Sequence, residues 1–497
     1  VLEHCDAEIV VCEDQEQVDK VLEKHAELPR LKRIVVIETK GMRSYPADLV
    51  ISFAALEELG RAAEKDHPHL IEERLARQTL ADIGLMIYTS GSTGRPKGAM
   101  LSWRNLRGQA IAVIERLGLD GDTSHLSYLP LCHVAEQMLT TVAPLHLGSR
   151  IDFGESLRTV QEDLREVAPS MFLGVPRIWE KLASSIHIKL MEAGGVRRWL
   201  FDRCYAACEP FAEVPRQSRS LGQKATAAFA HLLIFRALLN FIGLRKAKIA
   251  MTGAAPISPK IVRFFRTLGV PLVEVYGATE TSGLVTGQKL DHLVPGSVGS
   301  AAAGVELKRG AFDELLVRGD VVFAGYYKNE AATAAAIVDG WLHTGDVVVE
   351  TDGEFRIVDR LKDIMITAGG KNLSPSEIEN TVKASPYVKE CIVIGEARKY
   401  VSALVQIDYE TVGKWAEAQR LAFTHFRSLV ELPRVRELID AELQRGNARL
   451  AQAAQVRRFH LLTKELDHDD GEVTATMKVR RSSIYKTYAG EIEALYA

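Results

Sequence analysis

An α/β fold is predicted for this 497-residue chain, and three observations predict it. Through the first half, short apolar runs alternate with stretches of helical period. Near Glu314 the pattern changes to short strands at close spacing, separated by glycine turns. After Arg360 a new unit opens with its own helix start. The expectation is a large N-terminal domain of parallel and mixed sheets with flanking helices and a β-rich subdomain over residues 1–361, then a small α+β C-terminal domain over 362–497. A chain of this length exceeds what one hydrophobic core serves.

The elements follow in order. Residues 34–37, 83–88, 124–129, 247–251 and 272–275 are apolar runs of strand length, and 103–117 and 258–268 carry the helical period between them. The segments ELLVRG, GYYKN, GWLHTGD and GEFRIVDR predict the strands of the β-rich subdomain. Beyond Arg360, residues 363–367 predict a strand and Gly369-Gly370 a turn. Ser374, Pro375 and Glu377 form a capping box with proline at the first helical position. Residues 391–394 and 403–407 predict further strands. The most apolar stretch, 225–244, is interrupted by His231, Arg236 and Asn240, which makes it a poor membrane span. It predicts a buried or amphipathic helix in preference to one lying on a membrane surface.

Bulk composition narrows the function. Lys plus Arg number 62 against 65 Asp plus Glu, a net charge of −3, so nothing points to a nucleic-acid partner held by bulk charge. Six cysteines without CxxC spacing argue against a zinc site or a disulfide framework and fit a reducing, cytoplasmic compartment. The opening VLEHCDAEIVVCED reads as the interior of an α/β domain, so further N-terminal residues are expected.

The chemistry starts at IYTSGSTGRPKGAML, from Ile87. Thr89, Ser90, Gly91, Ser92, Thr93, Gly94 and Lys97 combine small residues, hydroxyl donors and a mobile cation. Small residues let backbone N–H groups point at an anion. A strand before the loop and a helical pattern from Ser102 predict a strand–loop–helix phosphate cradle. It is not a Walker A loop, because Lys97 precedes Gly98.

Further motifs follow in order: TGAAPIS from Thr252, YGATETSG from Tyr276, GWLHTGD from Gly340, GEFRIVDRLKD from Gly353, ITAGGKNLSPSEIE from Ile366 and TATMKVRR from Thr474. Together with TSGSTGRPKG they resemble the adenylate-forming superfamily over most of the chain. That resemblance implies ATP, Mg²⁺ and coenzyme A as ligands, and an acyl-AMP intermediate. It places the β- and γ-phosphates on the first loop, the α-phosphate on Thr279 and Mg²⁺ on Glu280, an oxygen ligand suited to a hard cation. Asp346 is implied to accept the ribose hydroxyls with Arg360 beside the sugar, and Gly253, Ala254, Ala255 and Pro256 to sandwich adenine against Tyr276 and Gly277. Lys478 is implied to bridge the attacking carboxylate and the α-phosphate, although TATMK departs from the commoner PKTxSGK. Lys362 is implied as the hinge of a mobile C-terminal domain, whose Gly369, Gly370 and Lys371 then line a channel for the thiol.

PLCHVAEQ from Pro130 and GVPRIWEKL from Gly174 look like the long-chain acyl-CoA synthetase branch. His133 matches the position that borders the carboxylate site, and the implied substrate is a long-chain fatty acid. Three alternatives stay open: a fatty acyl-AMP ligase loading a carrier protein, a ligase for another acid, and a nucleotide- or lipid-binding protein without turnover. Chain length, oligomeric state and peripheral membrane contact are not marked by any motif.

Overall fold

Strands apolar on both faces form where helices cover a sheet from both sides. Met171–Gly174 and Ile249–Thr252 are such strands, buried at every residue, and they lie at the middle of a seven-stranded sheet. The computed structural model describes residues 1–89, 96–467, 470–473 and 479–497, in two compact units.

The first unit comprises Val1–Arg104 and Ala324–Thr333. Ile9–Cys12, Arg33–Val36 and Val50–Ser52 pair in parallel. Val18, Ile34 and Val36 pack in the core beneath them. Ile83–Thr89 then pairs with Lys97–Ser102 in an antiparallel hairpin that sets Thr89 opposite Lys97. This corrects the expected strand–loop–helix cradle. The glycine-rich loop joins two strands, and helix Trp103–Leu117 begins only after the second, so no helix N-terminus follows the loop directly. GYYKN also departs from expectation. Its Gly325–Tyr326 extends this hairpin's sheet by pairing with Lys97–Ser102, instead of joining the β-rich subdomain.

The second unit holds Asn105–Phe323 and Ala334–Ala497. From one edge its large sheet runs Ser300–Ala301, Gly283–Gly287, Leu272–Ala278, Ile249–Thr252, Met171–Gly174, Ser124–Ser127 and Arg150–Phe153. The last five are parallel, and Gly283–Gly287 runs antiparallel to Leu272–Ala278. Glu314–Gly319 and Glu354–Arg360 both pair with Trp341–Thr351 in a separate antiparallel sheet. The C-terminal segment contributes a hairpin, Met365–Ile366 with Asn372–Leu373, shorter than the strand expected there. Helix Pro375–Val382 follows, capped by Ser374, whose hydroxyl accepts from the Glu377 N–H at 3.2 Å. Val388–Ile394, Val401–Ile407 and Val456–Leu461 complete a three-stranded sheet over its own apolar core.

Glu274 is a charged side chain sealed inside the large sheet, 7% exposed. Burial pushes its carboxyl up to about 7, against the pull of Arg266. Below pH 4.5 the carboxyl is protonated whether the chain is folded or not, so it costs nothing there. As pH rises toward 7 the unfolded chain ionises first and stability falls. Glu274→Gln is therefore expected to gain up to about 3 kcal/mol over the parent at pH 8 and nothing at pH 4. Urea titrations at both values check this, and a gain independent of pH refutes it.

Candidate functional site

Three strands of the parallel part of the large sheet deliver motifs to one sheet edge. PLCHVAEQ follows Ser124–Ser127, TGAAPIS follows Ile249–Thr252, and the turn Thr279–Thr281 follows Leu272–Ala278. Because the strands are parallel, all three loops leave at their C-terminal ends, where open α/β sheets form ligand crevices.

Close backbone approach dictates the glycines. A Cβ on Gly277 would lie 1.8 Å from the Gly283 carbonyl oxygen, and one on Gly253 2.8 Å from that of Val275. Ala254 takes a left-handed φ of 67° as its loop turns away from the sheet. The Thr279–Thr281 turn is clamped from several sides. The Thr281 hydroxyl accepts from the Ala278 N–H at 2.9 Å, the Ser282 hydroxyl donates to Val321 O at 2.8 Å, and Glu280 O accepts from the Phe323 N–H at 3.0 Å. Thr279 and Glu280 thus sit on a fixed backbone and are half-buried.

The YGATE, GWLHTGD and GEFRIVDR motifs converge on one carboxylate. Asp346 and Arg360 are cross-strand partners. The Arg360 guanidinium lies 3.4 Å from Asp346 Oδ1, and the Tyr276 hydroxyl donates to Asp346 Oδ2 at 2.6 Å. Burial, then the Asp346 charge, pushes the Tyr276 phenol well above its ordinary range. The phenol therefore remains a donor, and the Asp346 carboxylate is held in place from two sides. Sequence reasoning placed all three residues at the nucleotide but missed that Tyr276 orients Asp346.

His133 caps the short helix Val134–Gln137, its Nδ1 accepting from the Ala135 N–H at 3.3 Å. Below it Glu136 is fully buried against His125, at 3.7 Å, and accepts from the Thr140 hydroxyl at 2.8 Å. Desolvation opposes the Glu136 charge, but His125 with the Ser127 and Thr140 hydroxyls holds the carboxyl below its usual range. A turn of π-helix follows at Met138–Val142, a geometry common beside functional sites.

His133 lines a cavity together with Gly253, Ala254, Tyr276 and Gly277. The remaining wall is almost wholly apolar and includes Val113, Leu117, Met138 and Leu139. No motif marked this wall. Its one legible trace is Gln109, Val113 and Leu117, spaced four apart on helix Trp103–Leu117, where a buried polar residue interrupts an apolar face. The Gln109 amide, assigned from its surroundings, bonds both backbone groups of Leu284, accepting from N at 2.7 Å and donating to O at 3.0 Å.

The GVPRIWEKL motif has two physical jobs. The Trp179 ring is buried, and its Nε1–H donates to Gly174 O at 2.9 Å, which seats helix Pro176–Glu192 on the sheet. On another face of that helix, Arg177 donates to Lys389 O at 2.6 Å in the C-terminal segment and lies 4.0 Å from Glu390.

Other expected residues are not among those lining this cavity, or lie outside the described residues. Ser90, Gly91, Ser92, Thr93, Gly94 and Lys478 lie outside the described residues. Thr89 and Lys97 flank the first loop, with the Lys97 ammonium 4.9 Å from the Tyr326 ring. Lys362 is exposed, just after the strand that carries Arg360. Gly369, Gly370 and Lys371 form the exposed turn of the Met365–Ile366 hairpin, where Gly370 has φ +71°. A Cβ on Gly369 would find only Thr367 Oγ1, at 3.9 Å, so this arrangement sets no steric demand for glycine there.

Among the described residues no three His, Cys, Asp or Glu side chains group as a metal site. A lone Glu280 still fits Mg²⁺, which is commonly held by one or two carboxylates plus substrate phosphates. All six cysteines are free thiols.

The AMP-binding enzyme family matches residues 1–327, and the AMP-binding enzyme C-terminal domain matches residues 362–497. The long-chain-fatty-acid–CoA ligase FadD15 of Mycobacterium bovis is 32% identical over 502 residues, spanning 100% of this chain and 81% of that protein. The long-chain-fatty-acid–CoA ligase ACSBG2 of Gallus gallus is 31% identical over 539 residues, spanning 100% of this chain and 69% of that protein. Among solved structures, the adenylation domain of a carboxylate reductase from Mycobacterium chelonae aligns with a TM-score of 0.69 at 23% identity, over 100% of this chain and 74% of that one, a likeness of fold alone.

Proposed function

The chain belongs to the AMP-binding enzyme family, and on that premise we propose that it activates a long-chain fatty acid with ATP and transfers the acyl group to coenzyme A, giving acyl-CoA, AMP and pyrophosphate. The observation that carries the substrate class is the apolar cavity that meets His133 and the adenine motifs on one sheet edge. A fatty acid needs such a join: its tail wants apolar walls, and its carboxylate must reach the phosphates.

In this reading the carboxylate sits near His133 and attacks the α-phosphate of ATP, forming the mixed anhydride and expelling pyrophosphate. Thr279 donates to the α-phosphate. Glu280 holds Mg²⁺, which neutralises phosphate charge when bound. The hydroxyls and N–H groups of the first loop, with Lys97, take the outer phosphates. Asp346, fixed by Tyr276 and Arg360, accepts the ribose hydroxyls, and Gly253, Ala254, Ala255 and Pro256 pack one side of the adenine while Tyr276 and Gly277 pack the other. Lys478 bridges carboxylate and phosphate.

For the second step residues 362–497 act as a lid domain on residues 1–361. It turns at Lys362, withdraws Lys478 and brings Gly369, Gly370 and Lys371 to the thiol path. The test of the whole reading is AMP release measured across carboxylic acids of increasing length, with and without coenzyme A. The expected profile rises with chain length and requires the thiol for turnover. Preference for short or aryl acids, or turnover with a carrier protein alone, overturns the specificity.

Gly369→Leu isolates the second step. Pyrophosphate release in a single turnover is expected to persist, bound acyl-AMP to accumulate, and acyl-CoA formation to fall by about 10²-fold, as for a blocked positioning step. Acyl-CoA produced at the parent rate removes the loop from the thiol path.

A further inference from the structure

Two neighbouring parallel strands, Met171–Gly174 and Ile249–Thr252, need only one helix between them. The chain spends helix Pro176–Glu192 on that crossover and then adds Gly195–Cys208, Leu221–Ala230, a π-helical turn at His231–Phe235, and Arg236–Phe241. The addition contains the apolar stretch that the sequence reading placed in a buried or amphipathic helix.

The structure leaves one apolar face of it uncovered. Leu221, Phe229 and Leu232 are 86%, 64% and 70% exposed, and the exposed Ala225 and Ala228 fill the helical stripe between them. The opposite face is buried through Ala230, Phe235, Leu238 and Leu239. Helix Gly195–Cys208 packs against this one. It is buried through Phe201, Cys204 and Cys208, yet presents Val196 at 78% and Trp199 at 58% exposure. Exposed apolar residues scattered singly need no explanation, whereas a stripe at helical spacing along a surface helix does.

Charge identifies the occupant. Residues 195–246 hold nine Lys and Arg against three Asp and Glu, a local net of +6 in a chain of net −3. Arg197, Arg198, Lys224 and Arg236 are exposed beside the apolar residues. Apolar side chains interleaved with basic ones match an anionic lipid surface, where chains enter the acyl boundary and cations meet headgroups. A symmetric dimer through this face would set the same basic patch against itself. No helix among the described residues is long and apolar enough to cross a membrane, so such an attachment lies on the surface.

We propose that the helical pair Gly195–Cys208 and Leu221–Phe241 docks the protein on anionic bilayers. Docking sets the protein where a water-insoluble acid is concentrated, but vesicle binding needs no turnover, so the test stands apart from the ligase reading. The full chain is sedimented with vesicles of phosphatidylcholine alone and with vesicles containing phosphatidylglycerol. Binding to the anionic vesicles is expected to be about ten-fold stronger and to weaken with salt. Leu221→Ser/Phe229→Ser/Leu232→Ser is expected to lose about ten-fold or more of it, and Arg197→Gln/Arg198→Gln/Lys224→Gln to lose the preference for anionic lipid. Brominated lipid is expected to quench parent tryptophan emission but not that of folded Trp199→Leu, which keeps the proposal testable should the triple variants unfold. Absent or charge-independent vesicle binding, variants that bind as the parent does, or a patch whose loss dissolves a dimer without affecting vesicles each overturn it.

Discussion

Lys478→Ala is expected to lower ATP-dependent adenylation by roughly 10³-fold while leaving acyl transfer from supplied acyl-AMP close to the parent rate. The carboxylate and the α-phosphate are both anionic, and bringing them together needs a mobile cation between them. A lysine is a compact point charge on a flexible stem, suited to a group that changes position as the reaction proceeds. The described neighbours of Lys478 are held in place. Val473 and Val479 pair across an isolated bridge, and Arg480 N–H donates to Glu472 O at 2.8 Å. Arg481 Nη2 donates to both carboxylate oxygens of Glu379 at 2.7 Å, a charge-assisted contact. In the proposed two-step reading, such flanks would let one lid orientation present the lysine and another remove it. Pyrophosphate release and thioester formation, measured separately, decide the matter. Equal loss of both half-reactions refutes the assignment.

Glu280→Gln is expected to slow adenylation by about 10²- to 10³-fold and to raise the Mg²⁺ concentration needed for half-maximal rate. The substitution keeps the shape and removes the charge. The backbone of its turn is fixed by Thr281, Ser282 and Phe323, so the variant should fold as the parent does. The discriminating readout is the metal titration. A variant slowed at every Mg²⁺ concentration with an unchanged midpoint would put the metal elsewhere. Near-normal activity would exclude Glu280 from the chemistry.

What the sequence by itself determined is the part in which chemistry is written locally. The motifs that name the family are contiguous, and the physical demands on them are local too. Gly277 has no room for a Cβ, and helix Pro259–Leu268 starts at a proline and ends at a left-handed Gly269. The five apolar runs read as strands in the first half are all strands; Ile249–Thr252, inside the large parallel sheet, is buried at every residue and writes that burial directly in its sequence, whereas Ile83–Thr89 is a partly exposed edge strand of a hairpin. Only the tertiary structure decided the rest, since it depends on which distant segments meet. The first loop came to lie between two paired strands because Lys97–Ser102 found partners in Ile83–Thr89 and Gly325–Tyr326. Tyr276, Asp346 and Arg360 became one group, joined by a hydrogen bond and an ion pair, through sheet register, which no spacing encodes. The apolar wall beside His133 draws on several separate elements, and hydrophobic residues there carry no mark distinguishing a pocket from a core. The same ambiguity hid the stripe from Leu221 to Leu232: an apolar residue looks alike in sequence whether it is buried or uncovered, and only packing shows which face was left without a partner.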